Sequence, residues 1–277
     1  GVRPLVSHPP GRIVMAPDFL WLHLKEVPAF RALLRAVEAR FYQGLEMPEP
    51  VLDLGCGDGH FASVAFPGKA WVGLDPEWGP LKEAAARRAY RWVVQADGAR
   101  MPFPSSFFGT VVSNSVLEHI PPVEAVLAEV ARVLRPGGFF LFCSPSHRFV
   151  EFLSLYRLLR RLRLPRAAEA YGRLFNRISR HHHCDAPEVW APRLERAGLR
   201  PLRWWFYFSP GATALLEWGH PYGLPSLIYK KLLGRWILAP WRWSLRPVER
   251  ILRPFYEEPP GPEGAYFFMI ARKEGGG

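Results

Sequence analysis

Short apolar runs alternate with amphipathic helical patterns through the first half of the chain. The runs span Val51–Leu54, Trp71–Leu74, Trp92–Val94, Thr110–Ser113 and Phe139–Cys143. Strands that alternate with helices favour a parallel sheet, because each helical crossover brings the chain back to the same edge. The pattern therefore predicts an α/β fold.

Two segments show the clearest helical periodicity. From Ala29 to Tyr42, apolar residues recur at steps of three and four, and Gly44 follows as a stop. A second apolar stripe runs from Val123 to Leu134, and Gly137 is expected to end that helix. Residues 1–16 are rich in proline and predict an extended arm.

Two inserts interrupt this alternation in the second half. The predicted divisions are an arm and helix at 1–47, a core at 48–146, a basic amphipathic insert at 147–186, a core helix and strand at 187–209, an aromatic basic insert at 210–262, and a terminal strand and tail at 263–277. We expect the core to carry a ligand site and the inserts to cover it.

A glycine-rich turn follows the first predicted strand, where residues 51–59 form the sequence VLDLGCGDG. Glycines allow a ligand to approach the backbone closely. The turn lies at the carboxyl end of the first strand, which is where open α/β sheets bind nucleotides. Its GxGxG spacing differs from the GxGxxG of dinucleotide-binding folds. An ordinary tight turn is the alternative for this motif taken alone.

Three aspartates lie near the ends of the first three predicted strands. Asp75 is placed to accept hydrogen bonds from two ribose hydroxyls, and Asp97, followed by Gly98 and Ala99, is placed to contact an adenine edge. Asp53 lies inside a buried strand, where a carboxylate is costly unless it meets a cation or donors. Together these positions indicate a nucleoside cofactor that carries an amine.

The chain resembles the class I S-adenosylmethionine-dependent methyltransferases, in particular the group called methyltransferase type 11. The similarity is carried by VLDLGCGDG at 51–59, VGLDP at 72–76, ADGARMPFPSSFFGTVVSNSVLEHI at 96–120 and LAEVARVLRPGGFFLFCSP at 127–145. It implies a Rossmann-like, doubly wound, mostly parallel seven-stranded sheet with an antiparallel last strand and helical inserts. It also implies S-adenosyl-L-methionine as the cofactor.

The resemblance implies a set of cofactor contacts, residue by residue. Asp53, Gly55 and Gly57 would surround the methionine end, Asp75 would hold the ribose hydroxyls, Asp97 would face the adenine amine beside the amides of Gly98 and Ala99, Pro76 and Met101 would pack against the ring, and Asn114 and Ser115 would line the sulfonium side. One departure is Phe108-Gly109, where the family usually has Phe-Asp, so we expect reduced local rigidity there.

Histidines supply the remaining candidate chemistry. His119 follows the fourth strand and is a candidate general base, with a purely structural histidine as the alternative. His181–His183 stand beside Cys184, but adjacent side chains point in different directions, so we expect no metal site. By the resemblance, one histidine of this run could face the substrate.

Charge is distributed unequally along the chain. The net charge is +11, and residues 1–145 contain 14 basic and 14 acidic residues, whereas residues 146–277 contain 22 and 11. Basic residues mixed with tryptophan suit a membrane surface, a nucleic acid or an acidic substrate. A compositional bias toward arginine and proline is an equal alternative. The absence of RNP and KH motifs argues against a nucleic acid.

The favoured activity is transfer of a methyl group to a small or lipid-like acceptor, with oxygen or carbon as the acceptor atom. At the end of the predicted fourth strand the chain has SNSVL rather than an NPPY-like tetrad. This disfavours methylation of planar amides and adenine amines. The alternatives are a nicotinamide-dependent oxidoreductase and a non-catalytic nucleic-acid- or ligand-binding module. The sequence specifies no oligomeric state.

Three cysteines without a CxxC pair, and the absence of a secretory signal, predict a cytoplasmic protein. The basic inserts add the expectation of peripheral contact with an anionic membrane at its inner face.

Overall fold

A seven-stranded mixed sheet organises the larger part of the chain. The computed structural model describes residues 17–275, without the side chains of 222–227 and 229. The arm predicted for residues 1–16 lies outside this description. The strands are β1 Val51–Leu54, β2 Val72–Asp75, β3 Trp92–Gln95, β4 Phe108–Asn114, β5 Leu134–Pro145, β6 Leu199–Tyr207 and β7 Tyr266–Lys273.

The strand order is β3-β2-β1-β4-β5-β7-β6. Strands β1 to β5 pair in parallel, and β7 pairs antiparallel with both β5 and β6. This is the Rossmann-like sheet that the sequence predicts, including its antiparallel last strand.

Helices precede, connect and extend the sheet. They are α1 Phe19–Leu24, α2 Ala29–Phe41, α3 His60–Ala65, α4 Trp78–Arg87, α5 Val123–Val133, α6 Phe149–Phe152, α7 Ser154–Arg161, α8 Pro165–Ser179, α9 Pro187–Arg196, α10 Pro210–Leu233 and α11 Arg242–Glu257. The helix predicted from Ala29 to Tyr42 is confirmed as α2, and the helix predicted within 187–209 is confirmed as α9. Gly198, with a positive φ of 80°, follows the end of α9.

The chain divides into two compact units. The first contains α1, α2, residues 64–66 and residues 215–258, so it holds most of α10 and all of α11. The second contains the whole sheet and helices α4 to α9. All the predicted cofactor residues belong to the second unit.

The central strands are apolar because both of their faces are buried. All four residues of β1 are buried, and β4 is buried except at its last residue. Trp190 of α9 is fully buried, and its ring lies 5.2 Å from that of Phe142 and 6.4 Å from that of Phe267. Continuous apolar runs of this kind are typical of parallel sheets covered by helices.

The predicted end of α5 is wrong. The helix ends at Val133, and Leu134 already has extended backbone and begins β5, so Gly137 is not the helix stop. Pro136 disfavours helical backbone at the residue before it. Gly137, with φ of 79°, instead lies in an irregular stretch where the β4–β5 register shifts.

Gly109 is explained by a close backbone approach. A Cβ at this position would lie 2.4 Å from the carbonyl oxygen of Pro48, so the aspartate usual in the family would not fit here. Thr110 also donates a hydrogen bond to that oxygen at 2.9 Å. The segment before β1 therefore packs directly on the start of β4.

The basic segment 148–180, predicted as an amphipathic insert, consists of the three helices α6, α7 and α8. Helix α7 is followed by Arg163 in the left-handed region, with φ of 58°, and α8 begins at Pro165. Phe149 and Leu153 are buried as the amphipathic pattern predicts, whereas Leu162 and Leu164 at the α7–α8 turn are exposed.

Candidate active site

Three aspartates lie at one edge of the sheet. Strands β1, β2 and β3 are parallel neighbours, and in their register Asp53 pairs with Gly73 and Asp75 pairs with Gln95. Asp97 follows two residues after Gln95. The carboxyl ends of the three strands therefore bring together the acids that the sequence singled out.

The glycine-rich turn is built by backbone hydrogen bonds. The N–H groups of Gly55 and Cys56 donate to the carbonyl of Leu74 at 2.8 and 3.0 Å. Gly55 has φ of 77°, and a Cβ on it would lie 2.5 Å from the side chain of Val116. Gly57 has φ of 53°, but a Cβ there would meet no atom within 4 Å. Open space therefore borders Gly57, whereas protein packs against Gly55.

Asp75 supports this turn from the next strand. One carboxylate oxygen accepts the N–H of Gly57 at 2.9 Å, and the other accepts the N–H of Glu77 at 2.9 Å. A carboxylate offers about four lone-pair positions, so two bonds leave capacity for hydroxyl donors. Asp75 thus shapes the turn, a role that the sequence analysis did not assign to it.

Asp53 has a partner that the sequence analysis missed. The hydroxyl of Tyr90 donates a hydrogen bond of 2.6 Å to its carboxylate. Burial raises the pKa of Asp53 to about 7, with the Tyr90 bond opposing that shift and the charge of Asp75 adding to it. The carboxyl group therefore titrates near neutral pH.

Tyr90 fits its place because two glycines leave room for its ring. A Cβ on Gly73 would lie 2.9 Å from the ring and from the sulfur of Cys56, and a Cβ on Gly59 would lie 3.0 Å from the ring. Gly59 is the third glycine of the turn. Because Gly59 has no side chain, the ring of Tyr90 can pack against its backbone.

Asp97 begins a loop that α5 holds in place. Its carboxylate accepts the N–H of Ala99 at 2.8 Å. Arg132 donates to the carbonyls of Met101 at 2.9 Å and Phe103 at 2.7 Å, and it forms an ion pair with Glu129 at 2.6 Å. Gly98 is buried, and a Cβ on it would lie 3.1 Å from Leu54.

The two residues expected against the adenine ring lie in different environments. Pro76 is exposed beside Asp75. Met101 is 4% exposed and belongs to the hydrophobic core, which leaves little of its side chain to contact a ligand. Its N–H donates to Glu129 at 2.7 Å.

The end of β4 carries Asn114 and Ser115. The thiol of Cys143 on β5 donates to the side-chain oxygen of Asn114 at 3.2 Å, and its sulfur lies 3.7 Å from the hydroxyl of Ser115. Ser115 has a positive φ of 55°, so the chain turns sharply there. Both residues are partly buried.

His119 lies in a 3-10 turn, Leu117–His119, after β4. Its Nδ1 is 2.9 Å from the carbonyl of Arg180, which can only accept, so Nδ1 carries the proton. Burial lowers the pKa of His119, although the Arg180 contact opposes that shift. The lowered pKa favours the neutral imidazole, in which Nε2, 3.8 Å from a carboxylate oxygen of Glu118, is the nitrogen without a proton.

The histidine run packs against the same turn. The N–H of His182 donates to the carbonyl of Glu118 at 2.7 Å, and Nε2 of His183 lies 3.0 Å from the carbonyl of Ile120. The ring of His181 is 5.7 Å from that of His119. Within residues 17–275, no cluster of three His, Cys, Asp or Glu side chains is arranged to hold a metal ion.

A glycine-rich turn and three carboxylates at the carboxyl edge of a Rossmann-like sheet are typical of enzymes that bind a nucleoside cofactor. The residues at this edge fit S-adenosylmethionine, because three carboxylates offer acceptors to hydroxyl and amine groups and the backbone at Gly57 borders open space. Residues 52–142 match the family described as "Methyltransferase domain".

Comparison with known proteins gives the family. A demethylmenaquinone methyltransferase of Tropheryma whipplei is 32% identical over 184 residues, which cover 62% of this chain and 74% of that protein. A malonyl-[acyl-carrier protein] O-methyltransferase of Legionella pneumophila is 28% identical over 132 residues, covering 44% of this chain and 46% of that protein. The chain belongs to the class I S-adenosylmethionine-dependent methyltransferases.

Solved structures agree on the fold. The crystal structure of an S-adenosylmethionine-dependent methyltransferase from Thermotoga maritima, described as a possible histamine N-methyltransferase, matches with a TM-score of 0.54. It is 16% identical, and the match covers 89% of this chain and 92% of that one. The protein is thus an enzyme with S-adenosylmethionine as cofactor, and neither the oxidoreductase nor the non-catalytic module describes it.

Among the helices of the described part of the chain, none has the length and apolar character needed to cross a membrane.

Proposed function

We propose that the enzyme methylates a lipid-like small molecule on oxygen or carbon. The observation that carries this proposal is the match to a demethylmenaquinone methyltransferase over 62% of the chain. The malonyl-[acyl-carrier protein] O-methyltransferase supports an oxygen acceptor as the second form of the same chemistry. The SNSVL sequence at 113–117, where β4 ends, supports both forms over methylation of a planar amine.

The cofactor residues are part of this proposal. When bound, S-adenosylmethionine supplies a methyl group already activated by its sulfonium. Asp75 accepts hydrogen bonds from the ribose hydroxyls, and Asp53 in its ionised form accepts one from the amine of the methionine end. Gly57 leaves the space that the ligand needs. Asp97 and the loop at Gly98 and Ala99 hold the adenine, and Pro76 borders it.

The acceptor side of the site is assigned to the end of β4. Asn114 and Ser115 line the sulfonium side, and His119 removes the acceptor's proton through Nε2. The bond from Nδ1 to Arg180 supports this role, because it orients the ring and sets the tautomer. Replacing His119 with Gln should lower kcat while leaving the affinity for cofactor unchanged; equal kcat values would contradict the assignment.

We also propose a cytoplasmic location with peripheral contact at the anionic inner membrane face. A lipid-like acceptor resides in the bilayer, so an enzyme that reaches it from water needs a surface that holds it there. The basic inserts 147–186 and 210–262 supply that surface, and α7 and α8 act as a lid over the acceptor.

The acceptor class is tested with methyl-deuterated cofactor. The protein is incubated with a lipid extract and, separately, with the water-soluble metabolites of the same cells, and labelled products are found by mass spectrometry. Label in the lipid fraction is the expected result. Hot hydroiodic acid then removes an O-methyl group but leaves a C-methyl group. Label confined to water-soluble amines would contradict the proposal.

The ribose contact is tested at Asp75. Asp75→Ala should weaken cofactor binding by about 1–3 kcal/mol, because hydroxyl donors and the Gly57 amide lose an acceptor. Asp75→Asn keeps one oxygen for the Gly57 amide and should cost less. Calorimetric titration measures both. Parent-like affinity in the alanine variant would place the cofactor elsewhere.

A further inference from the structure

An exposed aromatic pair precedes and begins helix α11. The indoles of Trp241 and Trp243 are stacked, with ring centroids 6.0 Å apart and planes inclined by 5°. Trp241 is 56% exposed and Trp243 is 75% exposed. Tryptophan is enriched where proteins meet the headgroup layer of a bilayer, because its ring is apolar and its N–H is polar.

Arginines lie on the same exposed side of α11. Trp243, Arg246, Arg250 and Ile251 are spaced by three, four and one residues, which places them on one helix face. The opposite face carries the buried Glu249, Leu252 and Tyr256. We call the residues Trp241, Arg242, Trp243, Arg246, Arg250 and Ile251 the α11 face.

Two acids neutralise only part of the local positive charge. Asp18 accepts two hydrogen bonds from Arg253, at 3.0 and 2.9 Å, and Glu249 also pairs with Arg253. Arg242 lies 3.7 Å from Asp18 and 3.8 Å from Glu249. In the part of the chain that the structure describes, neither Arg246 nor Arg250 forms an ion pair. Two arginines on an exposed face thus carry unbalanced charge.

The arginines border an open groove of about 530 Å³ that is lined by Arg242, Trp243, Arg246, Glu249, Arg250 and Arg253. A guanidinium presents a planar fork of donors that matches the oxygens of a phosphate. The groove therefore suits a phosphate group whose remainder lies beside the indoles.

Exposed aliphatic side chains distinguish between two classes of polyanion. Leu232 is 74% exposed, Leu233 is 61%, Leu238 is 48% and Ile251 is 58%, all within the same compact unit as α11. A nucleic acid offers phosphates but gains nothing from leucine. A bilayer offers phosphates and, beneath them, hydrocarbon.

We propose that the α11 face docks on a bilayer of anionic phospholipid, with Arg246 and Arg250 on the phosphates and Trp241 and Trp243 in the headgroup layer. This inference rests on the proposed function and names the surface through which the membrane contact is made. It assigns to the second insert a role separate from the chemistry, since none of these residues belongs to the cofactor site.

Co-sedimentation of the full chain with vesicles tests the proposal. Phosphatidylcholine vesicles are compared with vesicles that also contain phosphatidylglycerol, at low and high salt. We expect binding to anionic vesicles that falls with salt. Arg246→Glu plus Arg250→Glu should reduce that binding by about tenfold or more. Trp243→Ala should weaken binding while leaving its salt dependence unchanged.

The matched control is Lys69→Glu plus Arg196→Glu, which makes the same charge change at exposed positions of the other unit and should leave binding unchanged. Parent-like binding of the α11 double variant, equal binding to neutral vesicles, or a preference for double-stranded RNA over anionic vesicles would overturn the proposal. Calorimetric binding of S-adenosylmethionine to each variant shows whether the variant keeps its fold and cofactor site. Parent-like vesicle binding of the α11 double variant, with intact cofactor binding, would overturn the docking surface and leave the proposed function in place.

Discussion

Asp53 is a buried carboxyl group whose hydrogen-bond donor, Tyr90, lies 37 residues away in the chain. Its other titratable neighbours are the carboxylate of Asp75 and the thiol of Cys56, whose pKa burial raises, so that the thiol stays protonated. The Tyr90 bond favours the ionised carboxylate, and burial favours the neutral acid. The balance places the pKa of Asp53 at about 7.

Cofactor affinity should therefore depend on pH. If the ionised Asp53 binds the amine of the cofactor, affinity rises as pH increases through 7, where the carboxyl loses its proton. Tyr90→Phe removes the bond that stabilises the carboxylate and should raise the pKa by about one unit or more. Affinity at pH 7 should then fall by about fivefold and recover by pH 9, as measured by calorimetry across this range.

Tyr156→Phe is the matched control for this experiment. The hydroxyl of Tyr156 donates to Glu169 at 2.7 Å, so its removal makes the same chemical change at a tyrosine that is bonded to a carboxylate other than Asp53. Its pH profile should equal that of the parent. A Tyr90→Phe profile with the same midpoint as the parent would show that Asp53 does not govern cofactor binding.

Helix α5 holds the loop that follows Asp97. Arg132 lies one turn along the helix from Glu129, and the pair forms two hydrogen bonds, at 2.6 and 2.9 Å. The Arg132 bonds lower the pKa of Glu129, which therefore remains ionised at neutral pH. The pair then contacts both backbone groups of Met101, since Glu129 accepts its N–H and Arg132 donates to its carbonyl.

Arg132→Gln should destabilise the fold by about 1–3 kcal/mol, because two loop carbonyls and a carboxylate lose their donor. Cofactor affinity should fall as well, since the loop carries Asp97. Arg135→Gln is the control. Among the described residues its guanidinium donates one bond of 3.2 Å, to the carbonyl of Glu49, so the substitution should change stability by less than about 0.5 kcal/mol. Urea unfolding gives the free energy of unfolding of both variants. Equal values for the two variants would show that Arg132 does not hold the loop after Asp97.

At the scale of the whole molecule, positive charge is concentrated on the inserts. Residues 154–180 contain eight arginines and one glutamate. The large apolar side chains exposed in this segment are Leu158, Leu162, Leu164, Leu174 and Ile178. Arginine and leucine exposed together are consistent with both roles proposed for α7 and α8, the lid and the membrane contact.

Arg160→Glu plus Arg161→Glu separates these roles. If α7 touches the membrane, this variant should bind anionic vesicles less tightly, because it loses positive charge that attracts the anionic surface. If α7 and α8 form only a lid, vesicle binding should stay unchanged while the KM for the acceptor rises. An unchanged KM together with unchanged vesicle binding would contradict both roles.

The sequence by itself determined the order of strands and helices, the glycine turn and the three aspartates. These depend on local signals: three of the four residues of β1 are apolar because both faces of the strand are buried, and a turn with positive φ favours glycine at Gly55 and Gly57. The family resemblance, carried by contiguous motifs, rests on the same local information and was confirmed.

Tertiary structure alone decided the partners of those residues. Tyr90 lies outside the family motifs, and the motif at 127–145 that contains Glu129 and Arg132 does not indicate their partners. Strand pairing and helix packing bring these side chains to Asp53 and to the loop after Asp97. The end of α5 was mispredicted for a related reason, since pairing of Leu134 with Phe108 begins β5 where helical periodicity still continues. Hydrogen bonds and pairing between distant segments depend on where the fold places them, and periodicity along the chain does not encode that placement.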